Sequence, residues 1–590
     1  MFIAESSRRV TDSKKVRMVM LLAAILLGIK YIFVDFGIDA EFQISMAYRL
    51  ATGDLMFKEM WEAYQMSAFL CAVFIKIYLA LFHTTTGIVL YLQAAGVLLD
   101  GLIAYFLYRT VNKYLHCKDV AFAMAWVFFL VSPKDVPLPE YANMQLWFSM
   151  LLCLTIFLYD RTGRKLFIIL SALSLCAAVL SYPSCMLLVA GAVFLFLYCG
   201  YKKELLLFLC TCFSAGILYL VLMFYSITWD EFLVFFENML ALETSHSAGL
   251  LEKFLAYLKD AVSIALVFAA LYGISHVIIR VTNNRKNKQQ TKETYRLLTD
   301  LLFYLLVLLL SFYTVIFWRE HTRYGYTLSF LGVVVVGMRH AKRLKGDSRY
   351  FYLCGTVISI LDFVATLFLT DLELVGSFSY LLIAVVAAFL PIADALKAIE
   401  GFRNTADTEK TGDVKLPEGS ALLGNLKRAV LVCSVLFLVF RNVYIIRPMY
   451  LQANTILDIR GIVKEGPAIG IISEYMGPYM QNESIKEWKQ YIEEGSSIWL
   501  IGDPLDTLGY LYLDTEIAAP TTVCTPGYNE SVLAYWEMNP DKYPDVVIAS
   551  CWYGTLNTEL TRNDWIMEWI EEEFKPSYYI DGKYWRYYFR

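Results

Sequence analysis

The amino-acid sequence predicts an α-helical polytopic membrane protein of about thirteen spans, followed by a C-terminal extracytoplasmic α/β domain. Three observations predict it. Of the 590 residues, 58% are hydrophobic and 18% charged, against about 45–50% and about 25% in ordinary soluble domains. Apolar runs recur at the roughly 20-residue length that crosses ~30 Å of hydrocarbon. Basic residues between those runs fall mainly on one side of the membrane. A net charge of −4 argues against a nucleic-acid partner, and an aromatic content of 16% argues against disorder.

The N-terminal segment is polar and carries Arg8, Arg9, Lys14, Lys15 and Arg17. The apolar run after it ends in no small-residue cleavage site, so it reads as an uncleaved first span. Spans are expected near 17–34, 87–108, 119–133, 142–159, 166–181, 184–200, 205–226, 257–279, 297–318, 324–338, 350–370, 376–395 and 429–446. The stretch 66–82 is also apolar. Counting it as a span would put Arg109, Lys113 and Lys118 on the same side as the loop after the first helix, so it reads as a juxtamembrane or re-entrant helix. The cytoplasmic segments before residue 447 then carry 30 Lys and Arg, and the outer segments and span edges carry 8. That asymmetry sets the N-terminus in the cytoplasm and the chain from residue 447 outside a plasma membrane.

Residues 1–446 therefore form the transmembrane part, with the first outer loop and juxtamembrane helix at 35–86, and 447–590 a separate domain. Its β-like runs (Ala468–Ser473, Ser497–Ile501, Asp545–Ala549) alternate with helical patterns (Ser484–Glu494, Thr561–Glu573), as in an α/β unit. No Walker or Rossmann spacing occurs in it. Its aromatic ending, Tyr578–Arg590, suits contact with carbohydrate or membrane as well as a final edge strand. Ten of the 12 cysteines lie before residue 440, mostly in apolar runs, and behave as small hydrophobes. Cys524 and Cys551 could pair.

Four polar patches gather on the outer side. The first holds Asp35, Asp39 and Glu41, then Tyr48, Arg49 and Asp54. Carboxylates placed where the chain leaves the bilayer can supply a partly desolvated base, or simply a solvated loop. The second holds Glu59, Trp61, Glu62, Tyr64 and Gln65, which also suits plain interface anchoring. The third runs from Ser132 to Asn143 and is stiffened by Pro133, Pro137 and Pro139; Glu140 and Asn143 could face substrate or merely cap a helix. The fourth is Arg319-Glu320-His321-Thr322-Arg323-Tyr324, where two arginines defy the charge bias and suit phosphate oxygens or lipid headgroups. Tyr182-Pro183-Ser184 and the loop Trp229–Lys259, with His246, complete the outer rim. Lys30, Asp100 and Asp362 lie inside predicted spans and read as mostly structural.

The residues Asp39-Ala40-Glu41, "YRLATGD" (Tyr48–Asp54) and "EMWEAYQMSAFL" (Glu59–Leu70), with the span plan, resemble the GT-C superfamily of membrane glycosyltransferases. The likeness is to its polyprenyl-phosphate-sugar-dependent protein mannosyltransferase and aminoarabinose transferase branch. The resemblance implies a polyprenyl-phosphate sugar donor in the bilayer, an acceptor hydroxyl on a glycan, lipid or protein, and inversion by an Asp base. The base carries over to Asp39, with Glu41 the competitor because Ala40 separates what is usually an adjacent pair. Arg319 and Arg323 would hold the donor phosphate; Asp54, Glu62, Gln65, Glu140, Asn143, His321 and Tyr324 are the other candidate substrate contacts. No cofactor is required, and a divalent metal bridging Asp39 or Glu41 to the phosphate is compatible with the pattern. The competing classes are a polysaccharide polymerase or ligase and a transporter or lipid flippase. The flippase should concentrate polar residues at the midplane and show repeats, and neither is visible.

Overall fold

The computed structural model describes residues 2–243, 250–285, 292–318, 322–369, 374–408, 418–447, 454–474, 476–502, 504–513, 515–523, 528–556 and 564–590. Helices dominate the first three quarters: α1 (Phe2–Phe33), α2 (Ile38–Thr52), α3 (Ala68–Phe82), α4 (Ile88–Leu115), α5 (Lys118–Leu130), α6 (Tyr141–Thr162), α7 (Leu166–Ser181), α8 (Leu188–Tyr198), α9 (Lys202–Ser226) and α10 (Trp229–Glu243). They continue as α11 (Leu250–Arg285), α12 (Lys292–Phe317), α13 (Thr322–His340), α14 (Gly346–Leu369), the short α15 (Leu374–Ser377), α16 (Leu382–Thr408) and α17 (Glu418–Tyr444). The last quarter carries strands β1 (Ile445–Arg447), β2 (Asn454–Thr455), β3 (Gly461–Ile462) and β4 (Ile472–Ser473), then α18 (Met476–Tyr491), β5 (Ser497–Ile501) and β6 (Glu516–Ile517). It closes with α19 (Ser531–Met538), β7 (Val546–Trp552), β8 (Thr555–Leu556), α20 (Asp564–Trp569), β9 (Tyr578–Asp581) and β10 (Trp585–Phe589).

Ten helical segments among the described residues are long and apolar enough to cross a membrane. Nine coincide with expected spans, and the tenth is Gln65–Phe82. The expected spans 119–133, 166–181, 184–200 and 324–338 are not among them. The first of these is a 13-residue helix, which at 1.5 Å per residue reaches only about 20 Å. α6 forms the centre of the bundle, whereas α9 leaves Leu218, Val221 and Leu222 exposed together, a surface that suits lipid. The two ends of the Gln65–Phe82 segment both meet the C-terminal domain: Trp61 N–H donates to Pro520 O at 2.8 Å, and Gly87 N–H to Gly466 O at 3.1 Å. The segment is thus held at both ends by residues of the C-terminal region.

In the C-terminal domain the sheet order is β6-β5-β7-β10-β9. β5 runs parallel to β7 and β10 antiparallel to it. The run at 468–473 delivers only β4, because Ala468 to Ile471 turn back on themselves through Ile469 N–H to Gly466 O and Ile471 N–H to Ala468 O. α18 starts two turns before the expected Ser484, since the Glu474 carboxylate accepts the N–H groups of Met476 and Gly477. The expected helix from Thr561 is described from Asp564 onwards. The aromatic ending forms the β9–β10 hairpin, with β9 the edge strand. Trp229–Glu243, expected as loop, is helical, and its Phe232 and Phe235 pack on Phe57.

One apolar core joins the segment 35–86 to the C-terminal domain: Ile44, Met46 and Trp61 are buried with Trp499, Leu508 and Tyr535. The loop at 35–86 therefore packs with the terminal domain as much as with the bundle. α2 itself follows from its sequence. Asp39 and Glu41 in its first turn complement the helix dipole, and Gly53, at φ 126°, ends it by donating its N–H to Arg49 O at 3.1 Å.

Candidate active site

Asp39 stands at the first turn of α2, where the chain has just left α1. Its carboxylate pairs with the Lys134 ammonium from the loop between α5 and α6, and its side chain remains 44% exposed. Lys134 also lies over the Tyr141 ring, 5.5 Å from the centroid. Burial alone would raise the Asp39 pKa, but the charge and hydrogen bond of Lys134, the Tyr141 hydroxyl and the charge of Arg323 together hold it below the usual range. The result is an ionised carboxylate in an open position with two cations beside it.

The loop that carries Lys134 is pinned to the bundle. Asp135, at φ 63°, pairs with the buried Arg441 of α17, whose guanidinium stacks 3.7 Å from the Tyr326 ring centroid. Asn143 donates to Val136 O at 2.8 Å and Leu138 O at 3.0 Å. Gly96 of α4 lets the loop approach: a Cβ there would lie 1.7 Å from Pro137 O. The rings of Tyr141 and Tyr182 stack on that of Tyr64, with centroids 5.7 and 5.4 Å away, forming an aromatic wall next to Asp39.

Glu140 and Asn143 take the capping alternative. The Glu140 carboxylate accepts the N–H groups of Ala142 and Asn143 at 3.0 and 2.7 Å, and both side chains are buried. Burial pushes the Glu140 carboxyl up to about 7, against the pull of Lys134 and those two N–H groups. Glu41 is likewise buried, at 3% exposure, so of the two candidate bases Asp39 is the open one.

Asp54 and Glu62 take part in a joint with the C-terminal domain, and Gln65 braces the segment that carries Glu62. The buried Arg49 guanidinium donates to Asp54 at 2.8 Å and Glu62 at 3.1 Å, and reaches the Tyr535 hydroxyl at 3.2 Å. Lys542 closes on Asp54 at 2.8 Å, and Thr522 N–H donates to Glu62 at 3.1 Å. Gln65 accepts from Phe57 N–H and donates to Glu62 O. These contacts give the three a structural part, and Glu62 Oε2 is left buried without a hydrogen-bond partner. Arg323 and Tyr324 lie half-buried at the start of α13, and Arg323 faces Asp39. Arg319, His321, His246 and Cys524 lie outside the described residues. Cys551 is a buried free thiol.

The charged residues inside the expected spans have protein partners. Lys30 donates to the carbonyls of Asn442 and Ile445, Asp100 accepts from Trp147 at 2.9 Å, and Asp362 accepts from Gln145 at 2.9 Å. Sequence reasoning missed Lys134, Arg441 and Tyr535. Lys134 was visible as a member of the Ser132–Asn143 patch and as an outer cation against the charge bias; the other two carry no local signal. No three His, Cys, Asp or Glu side chains gather to hold a metal ion among the described residues. The ammonium of Lys134 stands at the Asp39 carboxylate where a divalent ion would bind, so the donor set as arranged does not fit one.

No protein-family model matches the sequence, and no curated protein does. Among solved structures, the chain is similar to the archaeal oligosaccharyltransferase AglB from Archaeoglobus fulgidus. One such structure is in complex with an inhibitory peptide and a dolichol-phosphate, and another is tethered to an acceptor peptide containing the NVT sequon. Each matches at 12% identity and a TM-score of 0.40, over 91% of this chain and 69% of the other.

Proposed function

We propose, from the side chains around Asp39, that the chain is a membrane glycosyltransferase. It moves a sugar from a polyprenyl-phosphate-linked donor to an acceptor hydroxyl at the outer face, with inversion. The observation that carries this reading is the open Asp39 carboxylate, held ionised beside Lys134 and Arg323. A base, a pair of cations and an aromatic wall are the parts that transfer from a phosphate leaving group needs.

In this reading the acceptor hydroxyl oxygen attacks the anomeric carbon from the face opposite the phosphate, and Asp39 takes the hydroxyl proton. The bond between the anomeric carbon and the phosphate oxygen breaks, and its electron pair stays on that oxygen. Polyprenyl phosphate departs as an anion, its charge met by Arg323 and by Lys134 as the ammonium exchanges the carboxylate for the phosphate. No separate acid is required. Placement on the outer face rests on the 30-to-8 distribution of basic residues. The resemblance of the Asp39 region to the GT-C pattern supports the same chemistry.

The experiment is incubation of purified protein with polyprenyl-phosphate sugars and measurement of released polyprenyl phosphate. Release that needs an acceptor and disappears in Asp39→Asn supports the reading. Transport of a labelled solute without sugar transfer would overturn it in favour of a transporter.

A further inference from the structure

We propose that the C-terminal domain sets the position of Asp39, acting through Arg49 as a positioning residue. The inference rests on the glycosyltransferase reading above and gives the terminal domain a role in it. Asp39 and Arg49 stand at opposite ends of one helix, ten residues and about 15 Å apart. The Arg49 end is closed: its guanidinium has no exposed surface and is divided between two bodies. On the side of the first outer loop it meets Asp54, Glu62 and the carbonyl of Glu59. On the side of the C-terminal domain it meets Pro520 O at 3.4 Å and the Tyr535 hydroxyl at 3.2 Å. The Tyr535 hydroxyl donates onward to Glu59 O at 3.0 Å. Midway along α2, the Ser45 hydroxyl donates to Thr507 O of the C-terminal domain at 2.8 Å.

A buried guanidinium must keep its partners, and its rigid fork accepts them in only one geometry. The position of the terminal domain therefore fixes where Arg49 sits, and the helix carries that position to Asp39. Lys134 is anchored elsewhere, by the Asp135–Arg441 pair in the bundle. The contact between Asp39 and Lys134 thus joins a group registered to the C-terminal domain with one registered to the bundle. Misplacing a catalytic group by about 1 Å can cost ~10²-fold in rate.

The test uses full-length protein in detergent, with Tyr535→Phe and Arg49→Lys. The first removes one hydroxyl; the second keeps the charge but loses the fork. Each is measured for thermal stability, kcat, KM for a polyprenyl-phosphate sugar and the pH dependence of turnover. The groups facing Asp39 are Lys134 and Glu140 from the loop, Tyr141 from α6, Arg323 from α13 and Tyr380 from the segment before α16. Moving α2 takes Asp39 away from Lys134, so the acid limb of the profile should shift to higher pH. We expect kcat per folded molecule to fall about tenfold with KM changed less than about twofold. Wild-type kcat and an unshifted acid limb in both variants, with Asp39→Asn inactive, would overturn the proposal and leave the glycosyltransferase reading standing. Should Arg49→Lys fail to fold, Tyr535→Phe decides alone. Undiminished transfer by Asp39→Asn would instead remove the reading beneath it.

Discussion

The ammonium of Lys134 rests on the carboxylate of Asp39, joining a loop between two bundle helices to the first turn of a helix 95 residues earlier. The pair keeps the carboxylate charged while leaving much of its surface open. In the proposed reaction this contact would supply an ionised base beside a cation that can turn towards the phosphate.

Removing the base is the most direct check. Asp39→Asn should lower turnover by ~10²–10⁴-fold with expression and elution profile unchanged, because Asn is nearly isosteric with Asp and the side chain is 44% exposed. Polyprenyl-phosphate release would measure it, and retention of full activity would move the role to Glu41 or end the proposal.

Lys134→Gln should reduce kcat by about tenfold or more, since it removes charge stabilisation from the departing phosphate. It should also change the pH profile. Asp39 is held below the ordinary carboxylate range, so its ionised form persists as pH falls. Without Lys134 its charge and hydrogen bond no longer lower the Asp39 pKa, and the carboxyl takes up its proton at higher pH. The acid limb of the rate profile should move upward, and an unmoved limb would show that Lys134 does not govern Asp39.

Glu140 shifts the opposite way, to about 7. The folded protein holds that proton more tightly than the unfolded chain, so its stabilising effect is full below the ordinary Glu pKa and is lost as pH rises through about 7. The loss amounts to about 3 kcal/mol at most. Glu140→Gln should flatten thermal stability between about pH 5 and 8; a slope equal to wild type would refute the assignment.

Arg441→Met leaves Asp135 buried without its cation, which typically costs about 3–5 kcal/mol. A lowered melting temperature together with weakened turnover is expected, because the same pair anchors the loop bearing Lys134. Loss of stability alone would detach that anchor from function.

Gly96→Ala places a methyl carbon against Pro137 O. Overpacking of this kind costs about 1–3 kcal/mol, and relief requires the loop to move. Turnover should fall with stability, whereas Gly216→Ala in α9, where a Cβ meets nothing within 4 Å, should leave both near wild type.

Much of this protein was legible in one dimension. The long apolar helices, the break in texture near residue 447 and the acidic first turn after α1 follow from local composition, because each depends on residues adjacent in the chain. The strand at Ser497–Ile501 was legible for the same reason. Helix ends were less so, as with α18, where Glu474 caps the helix early.

Tertiary structure alone decided which polar residues meet. Asp54 and Glu62 read as substrate contacts in sequence, but folding closes them around Arg49 against Pro520, Thr522 and Tyr535, more than 450 residues away. Lys134, one basic residue in a proline-rich loop, reaches Asp39 only because Arg441 and Gly96 set the loop's height over the bundle. Apolar periodicity specifies which surfaces are buried. Which charges become partners depends on distances between distant segments, and only the packed chain sets those.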